Sequence, residues 1–314
     1  MAPRRRAPAI RIRAFAKINL GLHVLGRRTD GYHELRTIFQ SIALHDTLTI
    51  SSADGPFEVE CDDPRCPRDR GNLAWRAAEA LAEATGRKRL SNVQVHIRKR
   101  IPLQGGLGGG SADAAAALRG LALHWRVRMS DDRLKAVGAG LGADVPFFFE
   151  GGRVLGLGRG DLLFPLLERP SHAAVLVIPE HGVSTKDAYD WHDESLDQVR
   201  VGGAAGVRTR YALTDVRVEP LEKAELVNDL QTVVSARRPE IGQAVAALHR
   251  CGALHAAMSG SGSTVFGLFK HSTDARQAAS RLQIAGCRTL LTRTLSRLEY
   301  QTRSKPHEAD RDLP

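Results

Sequence analysis

Glycines dominate a short stretch that starts at Ile101 and leads into an alanine-rich run ending at Ala117. Five glycines occupy the six positions 105–110, and Ser111 follows them directly. Glycine allows the backbone to approach a ligand closely and to turn its N–H groups inward. The alanine-rich run predicts a helix, whose N-terminus would add a partial positive charge. Together these features predict a loop that binds phosphate.

This stretch does not match the common phosphate-binding loops. A Walker A loop needs Gly-Lys-Ser/Thr, and the chain contains no Gly-Lys dipeptide. The dinucleotide fingerprint and the protein-kinase glycine loop need a third glycine where this chain has Ser111 or Asp113. A flexible linker or a tight strand-to-helix turn is the competing interpretation. The strand-like flank at 93–97 argues against a linker, since linkers usually have polar flanks.

Two pairs of residues near the N-terminus could contact a ligand. Lys17 and Asn19 are two apart in a strand-like segment, so their side chains point to the same side. A lysine that blunts an edge strand is the alternative interpretation. Tyr32 and His33 adjoin a glycine turn, where an aromatic ring can stack on a nucleobase and an imidazole can pair with its edge. A solvated hairpin tip is the alternative for this second pair.

A single carboxylate, Asp144, lies between a glycine turn and the aromatic run at 147–149. We expect it next to a buried strand, from which it could reach and deprotonate a substrate hydroxyl as a general base. An aspartate that caps a helix-terminal turn is the alternative. A second loop of glycine and serine, at 260–263, leads into a strand and could cover the outer face of a triphosphate. A surface hairpin turn is the alternative for this loop.

Composition and charge narrow the class of protein. The 314 residues, with 42% hydrophobic and 25% charged side chains, suggest a globular chain of roughly two domains. We find no run of about 18 apolar residues and no secretory signal, and therefore expect a cytoplasmic protein with reduced cysteines. The four cysteines lack the spacing of a zinc site. The net charge of +10 suits nucleic acid, but it is spread along the chain and would also steer a polyanionic small substrate.

Hydrophobic periodicity predicts a mixed α/β chain with two domains. Strand patterns lie at 10–16, 20–25, 35–44, 46–51, 93–97, 173–178, 263–269 and 288–294, with a hairpin at 151–160. Helix patterns lie at 72–85, 111–124, 130–140, 185–191, 221–237, 239–250 and 274–285. We predict a disordered basic tip, an N-terminal domain, a C-terminal domain and a disordered polar tail at 1–9, 10–170, 171–300 and 301–314. The weakly periodic segment 191–219 reads as irregular.

The order of these motifs is similar to that of the galactokinase, homoserine kinase, mevalonate kinase and phosphomevalonate kinase (GHMP) superfamily. That superfamily has an N-terminal motif, a central glycine loop and a C-terminal loop of glycine and serine. The segments Gly31-Tyr-His-Glu-Leu35 and Gly142-Ala-Asp-Val-Pro146 resemble, more narrowly, a branch that phosphorylates a cytidine-diphosphate-linked methylerythritol. The resemblance extends over about residues 10 to 295.

This resemblance implies an α/β (α+β) two-domain GHMP kinase fold. The N-terminal, ATP-binding domain would be like the second domain of ribosomal protein S5, and the C-terminal substrate domain would be ferredoxin-like. The implied activity is ATP-dependent phosphorylation of the 2-hydroxyl of the cytidyl substrate, in non-mevalonate isoprenoid synthesis. Another GHMP kinase, of the homoserine or mevalonate type, and a basic RNA-binding protein are the alternatives. We expect a monomer or weak homodimer that binds no nucleic acid and no membrane.

The resemblance implies roles for three residues around the acceptor hydroxyl. Asp144 would take the proton as the hydroxyl attacks the γ-phosphorus. Lys17 would hold that carboxylate ionised and offset charge on the phosphoryl oxygens. Asn19 would lie near the acceptor. Asp229 belongs to a segment that the resemblance places on the acceptor side, without a definite role.

The resemblance also implies a nucleoside site and a nucleotide loop. Tyr32 and Tyr189 would sandwich the cytosine, and His33 would read its pairing edge. The loop that would wrap the ATP phosphates comprises Pro102, Leu103, Gln104, Gly105, Gly106, Leu107, Gly108, Gly109, Gly110, Ser111 and Ala112.

Two positions of this loop depart from the superfamily pattern. Gln104 stands where a glycine or alanine is common, and Ala112 replaces the second serine of the usual pair. Ser111 therefore supplies the hydroxyl that would face phosphate or metal. The sequence shows no clear acidic metal ligand, so we expect Mg²⁺ to be held mainly by ATP and water.

Overall fold

The computed structural model describes residues 8–201 and 226–308. Two long antiparallel strands, β1 (Ile10–Arg27) and β2 (His33–Pro56), form the frame of its first half. Irregularities interrupt their pairing at three places along β1, between residues 15 and 17, 19 and 21, and 24 and 26. Each extra residue reverses the inward and outward alternation of side chains. The alternation therefore predicts two shorter strands where the structure has one.

A mixed sheet surrounds these two strands. Within the described residues it has seven strands, in the order β11-β1-β2-β4-β3, with β5 pairing to β2 and β6 to β5. The elements between β2 and the second half are β3 (Glu58–Cys61), α1 (Leu73–Ala84), β4 (Ser91–Arg98), α2 (Gly109–His124), α3 (Asp131–Ala139), α4 (Phe147–Glu150), β5 (Arg153–Gly158) and β6 (Leu162–Pro165). The alanine-rich helix α2 is buried on most sides and packs against α1 and the sheet. Its small side chains permit this close approach, and at Gly120 a β-carbon would lie only 2.4 Å from Ile50.

The second half contributes a separate antiparallel sheet with the strand order β10-β7-β9-β8. Helices α7 and α8 contact its strands. The elements are β7 (Ala173–Pro179), α5 (Thr185–Val201), α6 (Asp229–Arg237), α7 (Pro239–Arg250), β8 (His255–Met258), β9 (Val265–Phe269), α8 (Ser272–Arg281), β10 (Cys287–Arg293), α9 (Arg297–Arg303) and β11 (His307–Glu308). The predicted mixed α/β chain is confirmed, and its described strands form two sheets.

A shared apolar core joins the two halves. Ile18 and Ile42 of the first sheet belong to one buried cluster with Leu176 and Phe266 of the second. An isolated bridge between Ile42 and Thr294 runs alongside it. This core holds β1 against the loops of the second half, which is where Lys17 and Asn19 lie. The boundary proposed at residue 170 lies in the connection between β6 and β7 and stays a prediction.

The prediction of a disordered tail at 301–314 is wrong for residues 301–308. Helix α9 continues to Arg303, and β11 pairs with the start of β1. The reason is packing: the buried ring of Tyr300 contacts Phe15, and its hydroxyl donates to the carbonyl of Phe148 at 2.7 Å. Composition shows that this segment is polar, but it does not show that Tyr300 is buried against the first half. Residues 309–314, and residues 1–7 of the predicted tip, lie outside the described residues.

Two further local predictions need correction. The segment 191–219 was expected to be irregular, but α5 continues through it to Val201, and residues 202–225 lie outside the described part. The first residues of the helix predicted at 221–237 lie there too, and the described helix begins at Asp229. Asp144 is expected next to a buried strand, but the aromatic run at 147–149 that follows it forms the one-turn helix α4, with all three rings buried.

Candidate active site

Three polar side chains meet at the centre of the molecule. The ammonium of Lys17 donates to the Oδ1 of Asn19 at 2.5 Å and lies 3.4 Å from the Oδ2 of Asp144. The pairing of β1 with β2 is regular between Lys17 and Asn19, so both side chains project to the same side, as their spacing predicts. The Lys17 side chain is 5% exposed and that of Asp144 is 33% exposed. The buried ammonium of Lys17 thus lies behind the carboxylate of Asp144, which solvent or substrate can reach.

Buried aromatic rings hold Asp144 in place. Asp144 lies in the turn before α4, and its carbonyl accepts the backbone N–H of Phe147 at 3.2 Å. Phe147 and Phe148 are fully buried in the core of the first half. They anchor one end of the turn, while Lys17 contacts the carboxylate that emerges from it.

The central glycine loop lies directly beside this pair. Gly106 and Gly108 have φ angles of +72° and +70°, a region that glycine adopts readily. A β-carbon at Gly108 would lie 2.7 Å from the ring of Phe148 and 3.2 Å from the side chain of Lys17. The carbonyl of Gly106 accepts a hydrogen bond from the Lys17 ammonium at 3.0 Å. The glycines therefore allow the loop to approach the lysine and the carboxylate.

Helix α2 presents its N-terminus at the end of this loop. It begins at Gly109, two residues before the predicted start at Ser111, and Gly108 occupies the N-cap. Gly108 has no side chain with which to cap the N–H groups of the first turn. An anion can take that place, helped by the partial positive charge of the helix end. The geometry fits the predicted phosphate site.

The second loop of glycine and serine packs on the first. The hydroxyl of Ser259 donates to the carbonyl of Gly106 at 2.9 Å and accepts the backbone N–H of Asn19 at 3.2 Å. A β-carbon at Gly260 would lie 3.3 Å from the ammonium of Lys17. The amide of Asn228 donates to the carbonyl of Gly260 at 2.8 Å. Residues of the second half therefore reach the same centre, while the expected cover of a triphosphate by 260–263 stays a prediction.

Gln104 ties the central loop to the chain after β7. Its φ angle is +52°, which is uncommon for a residue with a β-carbon. A β-carbon at Gly182 would lie 2.8 Å from the carbonyl of Gln104, so the two backbones are in close contact. The departure from the superfamily pattern at Gln104 thus places a side chain where glycine is favoured conformationally.

The aromatic residues expected to hold a nucleobase lie along one edge of the site. The ring of His33 stacks on that of Tyr189, with centroids 4.6 Å apart and planes inclined by 20°. Tyr32 is 55% exposed and lies under the guanidinium of Arg159 at 5.0 Å. The sandwich of cytosine between Tyr32 and Tyr189 stays a prediction. Burial raises the pKa of Tyr189, and the negative charge of Asp144 adds to this rise, which relates this edge electrostatically to the carboxylate.

Sequence reasoning missed a buried ionic cluster beneath the glycine loop. The ammonium of Lys99 donates to Asp46 and Asp113, at 2.6 Å to each carboxylate, and all three side chains are almost fully buried. Asp46 also accepts the backbone N–H of Ile101, at the start of the loop. Asp113 lies in the first turn of α2. The cluster thus fixes both ends of the loop. In the sequence, the single acidic residue Asp113 within the alanine-rich run was the sign of such a cluster.

Asp229 connects α6 to β1. Its carboxylate accepts the backbone N–H of Val24 at 2.9 Å and lies 3.5 Å from the Nδ1 of His23. Both contacts hold helix and strand together. The structure therefore gives Asp229 a positioning contact on β1, while a role toward the acceptor stays a prediction.

The donors around the glycine loop suit a phosphate group. Among residues 8–201 and 226–308, no group of three or more histidine, cysteine, aspartate or glutamate side chains is arranged to hold a metal. The loop offers backbone N–H groups and the hydroxyl of Ser111 instead.

No helix within residues 8–201 and 226–308 combines the length and the hydropathy of a membrane-spanning segment.

Comparisons with known proteins agree with this geometry. The family described as GHMP kinases N terminal domain matches residues 72–152, and the one described as GHMP kinases C terminal matches residues 216–286. The 4-diphosphocytidyl-2-C-methyl-D-erythritol kinase of Moorella thermoacetica is 42% identical, over 90% of this chain and 98% of that protein. The enzyme of the same name from Salinispora tropica is 40% identical, over 89% and 90%.

A solved structure extends the likeness from sequence to fold. The crystal structure of a 4-(cytidine 5'-diphospho)-2C-methyl-D-erythritol kinase superposes with a TM-score of 0.70 at 33% identity, covering 90% of this chain and 98% of that one. A likeness that covers nine-tenths of the chain includes parts of both halves of the fold. The chain belongs to the 4-diphosphocytidyl-2-C-methyl-D-erythritol kinase family of the GHMP kinases.

Proposed function

We propose that this kinase phosphorylates the 2-hydroxyl of 4-diphosphocytidyl-2-C-methyl-D-erythritol through Lys17 and Asp144, with ATP as the phosphoryl donor. Membership of the family makes the chain an ATP-dependent kinase of the non-mevalonate isoprenoid pathway. The observation that carries the proposal is the contact of Lys17 with Asp144, at 3.4 Å, beside the central glycine loop. Two side chains distant in sequence, a buried ammonium and a partly exposed carboxylate, meet there.

The two glycine loops would align the triphosphate. Backbone N–H groups of the central loop and of the first turn of α2 would bind the phosphates, and the loop at 260–263 would close on them from the second half. The close packing of Gly106 on Ser259 supports a single rigid cradle. Such positioning is the main contribution that a protein makes to phosphoryl transfer.

The carboxylate and the amine would then act on the acceptor. Asp144 accepts the proton of the 2-hydroxyl as its oxygen attacks the γ-phosphorus. Lys17 would stabilise negative charge on the transferring group. Its ammonium contacts the carbonyl of Gly106 and so lies beside the loop that would bind the phosphates. Asn19 holds the Lys17 ammonium in this position. Magnesium would enter as the ATP complex, bound by phosphate oxygens and water.

The opposite end of the substrate would lie at the aromatic edge. We place the cytosine near Tyr32, His33 and Tyr189, with His33 recognising its pairing edge. The stacked contact of His33 with Tyr189 supports an aromatic site there. The expected monomer or weak homodimer and the cytoplasmic location stay predictions.

The base assignment is tested by Asp144→Asn. We expect kcat to fall by about 10² to 10⁴, since the proton acceptor is lost, while the Kd for ATP changes by less than about threefold. Asp274→Asn, on the exposed face of α8, is the matched control and should leave kcat unchanged. Steady-state kinetics and calorimetry measure both quantities. Turnover by Asp144→Asn at the wild-type rate would refute the role of Asp144.

A further inference from the structure

Helix α5 holds His33 through two side chains on the same face. Tyr189 and Asp193 are four residues apart, so they lie one above the other on this helix. Tyr189 stacks on the imidazole of His33, and the Oδ1 of Asp193 lies 2.9 Å from its Nε2. The His33 side chain is 12% exposed. A residue at the candidate base site is thus fixed in position by a helix of the second half.

The contact with Asp193 determines which nitrogen of His33 carries hydrogen. An ionised carboxylate only accepts hydrogen bonds, so the Nε2 must be the donor. The neutral ring then has a bare lone pair on Nδ1, and Nδ1 is an acceptor. His192 lies near the same carboxylate oxygen, but its Nδ1 is 3.7 Å away, too far for a hydrogen bond. His33 is therefore the histidine that this oxygen orients.

A nitrogen acceptor at this position distinguishes two pyrimidines. Cytosine carries an amino group at its C4, which can donate to Nδ1. Uracil carries a carbonyl there, whose lone pairs would face the lone pair of Nδ1. We propose that Asp193 is a specificity-determining positioning residue, which fixes the tautomer of His33 so that Nδ1 selects a cytidyl over a uridyl substrate. This inference rests on the proposed placement of the base beside His33.

A change in the charge of His33 would reverse this selectivity. A doubly protonated ring would donate from Nδ1 as well as from Nε2. It would then pair with the carbonyl of uracil and repel the amino group of cytosine. Selection of the cytidyl substrate thus requires a neutral ring with its hydrogen on Nε2, and this state is directly observable.

The test compares 4-diphosphocytidyl- and 4-diphosphouridyl-2-C-methyl-D-erythritol as substrates of Asp193→Ala. The ratio of their kcat/KM values should fall by about tenfold or more, mainly because KM for the cytidyl substrate rises. The KM for ATP should stay within about twofold, because the ATP loop is untouched. Asp193→Asn keeps an amide oxygen that can accept from Nε2, so it should retain the wild-type ratio within about threefold. Asp190→Asn, one turn away and paired with exposed Lys186, is the matched control.

Three results would overturn the inference. The first is an unchanged ratio in Asp193→Ala, and the second is an equal loss in Asp193→Ala and Asp193→Asn. The third comes from nitrogen NMR of wild-type His33, which requires no variant to fold: hydrogen on Nδ1 excludes the proposed tautomer. His33→Ala separates this inference from the proposed function. If His33→Ala keeps the ratio, His33 does not read the base; if only His33→Ala loses it, Asp193 alone is excluded.

Discussion

Gly106 lies where the two glycine loops come closest together. A β-carbon at this position would lie 2.0 Å from the carbonyl oxygen of Ser259, and the φ angle of +72° would be strained for alanine. Gly106→Ala should therefore separate the loops. We expect the free energy of unfolding to fall by more than about 2 kcal/mol and the Kd for ATP to rise by about tenfold or more. Urea unfolding and calorimetry measure the two effects.

Gly140→Ala provides the control for this substitution. Gly140 has an ordinary helical φ angle of −73°, and its β-carbon would meet only the Val137 carbonyl, at 3.5 Å. Its effect on stability should stay within about 0.5 kcal/mol. Equal effects of Gly106→Ala and Gly140→Ala would mean that the loops are not in the close contact described.

Asp113 gives the ionic cluster a pH dependence. Burial raises the pKa of this carboxyl to about 7, against the attraction of Lys99. The unfolded chain titrates the same group near pH 4, so the folded protein binds the extra proton between about pH 4 and pH 7. Its contribution to stability is present below that range and is lost as pH rises through about 7. Asp113→Asn should remove this contribution, so the free energy of unfolding of the variant should fall less than that of the wild-type protein between about pH 4 and pH 7.

Urea unfolding at a series of pH values tests this expectation. The exposed Asp62, which accepts the backbone N–H of Lys99 at 2.7 Å, offers a control. Asp62→Asn should keep the slope of the wild-type protein. A slope unaltered by Asp113→Asn would show that Asp113 stays ionised throughout this range.

Single residues differ in how far the sequence predicts their contacts. Alternation along a strand predicts that Lys17 and Asn19 share a side, and the structure confirms it. Nothing local predicts that Asp144 meets Lys17, because their contact depends on the whole packing of the first half. Lys99 lies between two arginines, and its two acidic partners belong to β2 and α2. Such a cluster can be identified only from the tertiary structure, which brings those elements together.

Helix α6 carries an N-cap that also organises the second glycine loop. The Oδ1 of Asn228 accepts the N–H of Leu230, and its Nδ2 donates to the carbonyls of Met258 and Gly260. Asn228→Ala removes the cap and leaves two buried carbonyls without this donor. We expect a loss of about 2 to 3 kcal/mol in the free energy of unfolding and a higher KM for ATP.

Ser130→Ala is the matched control, because Ser130 caps α3 and accepts a single N–H, from Arg133 at 3.4 Å. Its loss should be about 0.5 to 1 kcal/mol, with the KM for ATP unchanged. Chemical unfolding and steady-state kinetics compare the two variants. Similar losses in the free energy of unfolding from both variants would show that Asn228 acts only as a helix cap.

Elements with one dominant pattern could be predicted from the sequence, and irregular ones could not. The helices α1 and α7 lie close to their predicted bounds, because each combines an N-terminal signal with helical spacing. The strands β1 and β2 were each predicted as two pieces. Bulges break the alternation of β1, and the two predicted pieces of β2 are separated at His45, although the strand continues through it.

The two halves of the molecule are joined by more than their shared core. Tyr300 of α9 packs on Phe15 and bonds to the carbonyl of Phe148, which precedes it by half the chain. Tyr300→Ala would leave a cavity in the first half and should lower the free energy of unfolding by about 3 to 5 kcal/mol. Thermal or chemical unfolding measures the loss.

Leu298→Ala is the control for this prediction, since Leu298 lies on the same helix and is 76% exposed. Its effect should stay within about 0.5 kcal/mol. A comparably small loss in Tyr300→Ala would show that α9 contributes little to the first half. Composition and periodicity predict a two-domain α/β chain, but they do not predict this return of the chain, because the segment after Leu295 is short and mostly polar and its contacts depend on the assembled first half.

The return of β11 to the edge of β1 has a consequence for biosynthesis. Ile10 and Arg11 are translated early, whereas their partners Glu308 and His307 follow almost three hundred residues later. A nascent polypeptide on the ribosome therefore exposes that strand edge, and the cleft beside Phe15, until nearly all of it has been made. Premature termination just before α9 would release a protein that contains both glycine loops but whose first strand has an unpaired edge open to aggregation.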